Sequence, residues 1–152
     1  MKILFFLTLM MLFTGSAHGQ LTSETDKAQI ETLINEAFDQ IWSTLDSRNI
    51  EKFHTDDFLL LENGEVWNND SIANYMDRAI LQKPFPKREN TIKIIEIKVT
   101  GKTAWVAYHN AAVFTVKRKI IRKAEWLESA TAILTADGWK LDMLHSTRIK
   151  NE

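Results

Sequence analysis

Apolar residues near the N-terminus recur at helical spacing. Between residues 30 and 45 they stand three or four positions apart, which places them on one face of an α-helix. Ser23 is a suitable N-cap and is followed by acidic residues that favour a helix start. We therefore predict one long helix over about residues 24–47, with a short helical turn over residues 49–53.

The next segment changes from strand-like to helical patterning. Residues 58–67 carry two apolar runs separated by Asn63-Gly64, a pair typical of a tight β-hairpin turn. Asp70 is a candidate cap for a second helix, whose apolar stripe extends to residue 80. Pro84 and Pro86 follow and predict a loop.

The remainder of the chain is strand-like. Turns at Gly101 and at Asp137-Gly138 divide it, and we predict strands over residues 91–99, 104–116, 124–134 and 139–149. Helices followed by long neighbouring strands indicate an α+β domain with an antiparallel sheet.

The strand over residues 104–116 is apolar on both faces. Trp105 and Val113 lie on one face, whereas Val106 and Phe114 lie on the other. A sheet with one wet face should instead alternate apolar and polar residues. We expect the outer face to meet a second copy in a homodimer. The alternative is a curled sheet that wraps its own core.

The amino-acid composition excludes several classes of function for this chain. The chain has 152 residues, 19 basic and 20 acidic, so it lacks the positive charge typical of nucleic-acid binding. It contains no cysteine, which excludes disulfides, thiol nucleophiles and cysteine-ligated zinc. No glycine-rich phosphate loop or dinucleotide motif occurs, so we expect no cofactor.

The first nineteen residues have the layout of a secretory signal peptide. Lys2 precedes an apolar stretch over residues 3–13, and Ala17 and Gly19 stand at the −3 and −1 positions of a cut before Gln20. The stretch is shorter than the about 20 residues of a membrane-spanning helix. We expect residues 20–152 to be exported, periplasmic or secreted, with no stable membrane anchor after cleavage.

The order of these elements carries a family resemblance. Asp56-Asp57-Phe58 at a strand entry, residues 101–106 at a strand start, residues 137–141 and His145-Ser146 follow the two helices in a familiar sequence. Over residues 23–149 the chain resembles the SnoaL-like branch of the nuclear transport factor 2-like superfamily. The resemblance implies a cone, in which a curved antiparallel sheet wraps around the N-terminal helices and encloses a mostly apolar pocket. No complete catalytic set of that superfamily can be matched here.

Two titratable residues are the main candidates for chemistry. Alternation along the last strand groups His145 with Trp139, Leu141 and Met143, which predicts that His145 points towards the pocket. Glu128 shares a face with alanines and Trp126, where burial would raise its pKa. The alternatives are a core histidine with satisfied nitrogens and a glutamate paired with a basic neighbour.

Further residues are predicted to line the pocket. Tyr108 and Asn110 alternate on the central strand and point the same way, so we place them in the pocket and His109 on the dimer face. The aromatic and apolar wall is assigned to Phe38, Trp42, Tyr75, Met76 and Trp126. The alternative for these wall residues is ordinary core packing.

Two weaker patterns have simpler interpretations. His54, Asp56 and Asp57 could be metal ligands, but only one imidazole is present and paired aspartates commonly form turns, so we predict no metal site. Five basic residues within residues 117–123 are interpreted as a solvated hairpin tip, with anion or cell-surface contact as the alternative.

Three functions remain open from the sequence. The leading hypothesis is an exported dimeric domain whose pocket binds a small, largely apolar organic molecule. The second is an isomerase, dehydratase or hydrolase in which His145 and Glu128 form an acid–base pair, with Tyr108 or Asn110 polarising an oxygen. The third is a structural or protein-interaction module built on the outer sheet face.

Overall fold

The computed structural model describes the backbone of residues 17–149 and the side chains of residues 24–149. The helices are α1 (Ala17–Ala37), α2 (Ile50–Phe53) and α3 (Asn69–Ala79), with a π-helical turn over Phe38–Trp42 and a 3₁₀ turn over Ser47–Asn49. The strands are β1 (His54–Glu62), β2 (Glu65–Asn68), β3 (Lys87–Thr100), β4 (Thr103–Val116), β5 (Lys119–Thr135) and β6 (Gly138–Ile149). The predicted signal segment falls mostly in residues 1–16, outside this range. No helix of the described part is long and apolar enough to cross a membrane.

The six strands form one curved, unclosed sheet in the order β2-β1-β6-β5-β4-β3. The predicted α+β class and cone-like curvature are confirmed. Neighbouring strands are antiparallel except β1 and β6, which run parallel. This exception arises because the chain crosses the molecule between the β1–β2 hairpin and the β3–β6 meander, and returns to β1 only with its last strand.

The N-terminal helix differs from its predicted limits. It begins at Ala17, so Ser23 lies within it rather than capping it, and its α-helical part ends at Ala37. The wider π-helical turn that follows buries Phe38 and Ile41. Leu45, with φ of +53°, then adopts the left-handed conformation that often ends helices.

The cap of α3 is Asn68 rather than the predicted Asp70. Asn68 is extended, and its side-chain oxygen accepts a hydrogen bond from the backbone N–H of Ser71 at 2.9 Å. Asp70 therefore lies one position inside the helix, where its charge still favours the positive end of the helix dipole.

The core lies between the helices and the inner face of the sheet. Along β4, Ala104, Val106, Tyr108, Asn110, Ala112 and Phe114 are all buried. Ala104, Val106 and Tyr108 belong to the same core cluster as Ile34 of α1 and Met76 of α3, whereas Ala112 and Phe114 form a second, smaller cluster with Ala124 of β5. The intervening residues of β4, including Trp105 and His109, are exposed or half-buried on the outer face. The inner face thus provides the surface on which a pocket can form.

The predicted turn at Asn63-Gly64 and the predicted hairpin tip at residues 117–123 are confirmed. Asn63 and Gly64 have positive φ angles of 52° and 83°, as a tight β1–β2 turn requires. Lys117 and Arg118 also have positive φ, at 46° and 66°, and form the turn between β4 and β5. The basic segment 117–123 is therefore a hairpin tip in which every residue is exposed.

A β-bulge changes the facing of side chains along β6. Leu141 pairs with Ala132 and Met143 with Thr131, so Asp142 has no partner on β5. The Asp142 carboxylate accepts a hydrogen bond from Thr55 Oγ1 of β1 at 3.2 Å, which ties the bulge to the neighbouring strand. Trp139 and Leu141 are buried before the bulge, whereas Leu144 and Ser146 are buried after it. The inward-facing positions consequently change parity within the strand.

Candidate functional site

A cavity of about 270 Å³ lies between the inner face of the sheet, the π-helical turn and α3. Its wall combines aromatic rings, ionisable groups and short polar or aliphatic side chains. They are Phe38, Trp42, Leu60, Glu62, Asn63, Trp67, Tyr75, Arg88, Phe114, Arg122, Trp126, Glu128, Leu144 and Ser146. The cavity is therefore more polar than the sequence predicted.

Glu128 is the buried carboxyl of this cavity. It lies on β5 between Tyr108 of β4 and Ser146 of β6, its cross-strand neighbours, and only 5% of its surface is exposed. Ser146 Oγ donates to Glu128 Oε1 at 2.9 Å, and Asn110 Nδ2 donates to Oε2 at 3.2 Å. Burial raises the pKa of Glu128 to about 7, although these donors and the positive charge of Arg88 act in the opposite direction.

Tyr108 and Asn110 face inward as predicted, but they lie buried behind Glu128 and are not among the side chains that line the cavity. Among the described residues, Tyr108 Oη and Asn110 Oδ1 have no hydrogen-bond partner although both are buried. The pKa of Tyr108 is raised well above its ordinary value, first by burial and then by the negative charge of Glu128. Unpartnered buried polar atoms are rare in folded proteins and are more frequent at functional sites. Tyr108, Asn110, Glu128 and Ser146 form what we call the polar floor.

Arg88 is the functional candidate that the sequence prediction missed. It lies at the start of β3, and its guanidinium carbon is 5.6 Å from the ring centres of Phe38 and Phe114 and 5.4 Å from that of Trp126. Burial lowers the pKa of Arg88 to about 10, although the charge of Glu128 opposes this shift. The group remains cationic at neutral pH.

The predicted strand began at Thr91, which left Arg88 in a loop. In the structure, β3 extends back to Lys87 because residues 87–90 pair with the end of β4. Arg88 and Asn90 are then in phase with Ile92, which is also half-buried. Extending the alternation from Ile92 back through Asn90 to Arg88 would have been the sequence signal for this residue.

The predicted inward orientation of His145 is wrong. The bulge at Asp142 shifts the phase of β6, so His145 is exposed and pairs with Ser129, next to the Glu128–Ser146 pair. Adjacent strand residues point to opposite faces, and Ser146 takes the inward position instead. His145 and Glu128 therefore cannot act as an acid–base pair in one pocket.

The remaining predicted wall residues divide into two groups. Phe38, Trp42, Tyr75 and Trp126 line the cavity. Met76 is fully buried in the core and does not line it, since α3 turns Tyr75 rather than Met76 towards the cavity. His109 is exposed on the outer face, where the sequence placed it.

His54 does not line this cavity and instead packs within the core. Its ring stacks on Phe58 with a centroid distance of 3.7 Å, and its Nδ1 lies 3.0 Å from Asn69 Oδ1. Asn69 Nδ2 donates to Thr55 O at 2.8 Å, which orients the amide so that His54 Nδ1–H donates to its oxygen. Burial lowers the pKa of His54 to about 4. Asp56 and Asp57 are exposed.

Comparisons with known proteins bear on the fold. The sequence matches no protein-family model and no curated protein. Its structure is similar to an NTF-2 like protein of unknown function from Silicibacter pomeroyi, with a TM-score of 0.57, 14% identity and coverage of 83% of this chain and 98% of that one.

Two further structures have higher TM-scores. A ketosteroid isomerase-like protein from Erwinia carotovora atroseptica gives 0.61, with 18% identity over 82% of this chain and 96% of that one. A CamKII hub homology domain from Chlamydomonas reinhardtii gives 0.70, with 15% identity over 82% of this chain and 98% of that one. The order of elements, the curved sheet and these similarities together show that this chain has the nuclear transport factor 2-like fold.

Proposed function

We propose that the chain is a binding domain for a small organic molecule, which it holds in the cavity above the polar floor. The observation that carries this proposal is the cavity itself, in which aromatic walls surround a buried carboxyl with two hydrogen-bond donors. Ligand pockets commonly combine apolar and aromatic walls with a few fixed polar groups. The pocket expected for a SnoaL-like domain has this character, although that branch assignment remains a prediction.

The five tryptophans allow a direct test of this proposal. Trp42, Trp67 and Trp126 line the cavity, whereas Trp105 lies on the outer face and Trp139 is buried elsewhere, with its Nε1–H donating to Asp26. Residues 20–152 labelled with ¹⁵N would be titrated with a library of small organic fragments, and the five indole N–H signals followed by NMR. Each would be assigned with a single Trp→Phe variant.

We expect bound fragments to shift the signals of Trp42, Trp67 and Trp126 and to leave those of Trp105 and Trp139 unchanged. The two outside tryptophans are internal controls for general hydrophobic binding and for changes in folding. If no fragment shifts the three cavity signals, or if only Trp105 responds, the proposed binding site is wrong.

Acid–base catalysis by Glu128 is a second candidate function. A carboxyl with a pKa of about 7 is half-protonated near neutrality and can therefore accept or donate a proton. Without His145, the partner groups would be Tyr108, Asn110 and Ser146 of the floor. In a screen of isomerase, dehydratase and hydrolase substrates, Glu128→Gln should reduce any turnover by about 10²- to 10⁴-fold while the indole shifts persist. Turnover that survives in this variant would exclude Glu128 as the catalytic group.

We also propose that residues 1–19 are a cleaved signal peptide and that the domain is exported. The support is the sequence pattern alone, namely a basic start, a short apolar stretch and small residues before Gln20. Mass spectrometry of protein expressed in full length should find a mature N-terminus at Gln20 in the periplasm or medium. An intact N-terminus in the cytoplasm would contradict it.

A homodimer through the outer sheet face is the last element of the proposed function. Leu59, Trp105 and Leu127 expose 40%, 40% and 45% of their surfaces on this face. Leu59 pairs with Met143, Met143 with Thr131 and Thr131 with Trp105, so three apolar side chains and one threonine form a row across four strands. Large apolar side chains exposed together on one sheet face favour an interface.

A further inference from the structure

We infer that the cavity selects anionic ligands, and specifically organic carboxylates with an aromatic body, by pairing their carboxylate with Arg88. This inference rests on the proposed binding function and adds the ligand class to it. It depends on three features of the cavity: a stack of arginines on aromatic rings, the absence of ion pairs to those arginines in the described residues, and a positioned guanidinium.

Arginines and aromatic rings alternate across one end of the inner face. Arg122 lies 3.8 Å from the ring centre of Phe114, and Arg88 lies between the rings of Phe114 and Trp126. Arg148 is 4.6 Å from the ring centre of Trp126 and completes the series. We call these five residues the arginine–aromatic ladder.

Strand register produces the ladder. Phe114 of β4 pairs with Arg88 of β3 on one side and with Arg122 of β5 on the other. Trp126 of β5 pairs with Arg148 of β6. Directly opposed residues lie on the same face, about 4.5–5.5 Å apart at Cβ, so the guanidinium groups contact the neighbouring rings.

The positive charges of the ladder are not paired within the described part of the chain. The five ion pairs found there join Lys27 to Glu24, Arg48 to Asp46, Lys52 to Glu36, Lys87 to Glu89 and Lys98 to Glu96. None involves Arg88, Arg122 or Arg148. Three guanidinium groups thus face one another across two rings without a carboxylate within 4 Å.

The acidic groups of the cavity only partly offset this charge. Glu62 and Glu128 are its two carboxyls, and burial raises the pKa of both. With a pKa of about 7, Glu128 carries only part of a negative charge at neutrality and less below it, whereas the arginines stay ionised. Arg88 and Arg122 therefore give the cavity a net positive charge at neutral and mildly acidic pH, which favours an anion.

Arg88 is held in position for such an anion. Its Nε–H donates to Asn90 Oδ1 at 2.9 Å, and Asn90 Nδ2 in turn donates to Ser43 Oγ at 2.7 Å. In the described residues the two Nη groups of Arg88 make no hydrogen bond. One edge of the guanidinium is thus fixed while the paired Nη donors remain free for a carboxylate, which they match in geometry.

The surroundings of Arg88 favour an aromatic body over a small inorganic anion. A second cavity, of about 290 Å³, shares Trp42, Tyr75, Arg88, Phe114 and Arg122 with the first, so Arg88 stands where the two meet. A carboxylate at Arg88 leaves room on either side for a ring system against the shared aromatic side chains. Ring stacking adds affinity that phosphate or acetate cannot obtain.

Binding of 2-naphthoate and of its uncharged isostere 2-naphthamide tests the inference. Isothermal titration calorimetry on residues 20–152 at pH 7 should find 2-naphthoate at least about tenfold tighter. Arg88→Met should reduce 2-naphthoate affinity by about tenfold or more and leave 2-naphthamide nearly unchanged. Arg88→Lys keeps the charge but loses the paired donors, so its affinity for 2-naphthoate should lie between those of the wild type and Arg88→Met.

Two further variants serve as a control and as an independent test of the anion preference. Arg118→Met removes an exposed charge at the β4–β5 turn, outside both cavities, and should alter neither affinity. Arg122→Met changes an exposed ladder residue, so it tests the ladder even if the Arg88 variants fail to fold. Arg122→Met should weaken the binding of 2-naphthoate severalfold more than that of 2-naphthamide.

Two results would overturn the anion preference and leave the binding site intact. One is equal affinity for the two compounds, and the other is 2-naphthoate affinity that changes in neither the Arg88 nor the Arg122 variant. If neither compound binds, the proposed site fails with it.

Discussion

At the scale of single residues, Glu128 is the buried carboxyl of the candidate site. Its position among alanines and Trp126 on one strand face indicated a buried carboxyl, and the structure agrees. The sequence could not indicate that Ser146 and Asn110 would donate to it, because those contacts depend on the register of three strands. The residue was therefore predictable, whereas its environment was not.

Glu128 should make stability fall as pH rises. Its pKa is raised from 4.5 to about 7 in the folded state, so between these values the folded chain keeps a proton that the unfolded chain loses. The free energy of unfolding should therefore drop by roughly 3 kcal/mol from this group between pH 4.5 and 7. Below pH 4.5 both states are protonated and the contribution is constant.

His54 opposes this trend in the wild-type protein. Its pKa is lowered from 6.5 to about 4, so the unfolded chain binds a proton that the folded chain does not, and stability falls as pH decreases through this window. Comparing wild type with Glu128→Gln by urea denaturation isolates the glutamate. The variant should gain roughly 3 kcal/mol over wild type between pH 4.5 and 7. If the free energies of unfolding of the two proteins depended on pH in the same way, Glu128 would not be a buried carboxyl with a raised pKa.

At the scale of elements, the bulge in β6 decides which residues reach the cavity. Strict alternation from Trp139 predicted that His145 faces inward. Asp142 has no partner on β5, and this extra position turns His145 to the outer face. The bulge is held by Thr55 of β1, far away in the sequence, so no local pattern announced it. The predicted end of the N-terminal helix was wrong for a similar reason. The π-helical turn that follows Ala37 depends on packing of Phe38 and Ile41 in the core, which the local sequence does not reveal.

Paired substitutions at adjacent positions test the bulge. Ser146→Ala removes a buried hydrogen bond to Glu128, so it should cost about 1–3 kcal/mol in the free energy of unfolding and raise the pKa of Glu128 further. His145→Ala alters an exposed side chain and should change stability by less than about 0.5 kcal/mol. Thermal and urea unfolding at pH 8 would measure both. The reverse order of effects would mean that β6 has no such phase change.

At the scale of the whole molecule, the order and type of elements predicted the α+β class, and the resemblance to the nuclear transport factor 2-like superfamily implied the cone. The curved six-stranded sheet confirms both. The parallel pairing of β1 with β6 was missed, since it joins segments about eighty residues apart and leaves no turn signal. The ladder likewise arises only when four strands are assembled in register, and the cavity is lined by residues of all six.

The outer sheet face carries a prediction about assembly. Sedimentation equilibrium of residues 20–152 should give a dimer, and Trp105→Lys with Leu127→Lys should give a monomer because two charges would be buried at the interface. Leu81→Lys is the matched control, since Leu81 is 75% exposed but lies in the turn after α3, away from this face. A monomeric wild type, or a dimer unaffected by the double substitution, would refute the interface.

The central claim is that the fold buries a titrating carboxyl in a ligand-accessible cavity. Its most direct test is the titration of the Glu128 side-chain carboxyl carbon by ¹³C NMR in residues 20–152 labelled at glutamate, with Glu128→Gln used to assign the signal. We expect a midpoint near pH 7, which moves when 2-naphthoate occupies the cavity. A midpoint near the ordinary value of 4.5, unaffected by the compound, would contradict it.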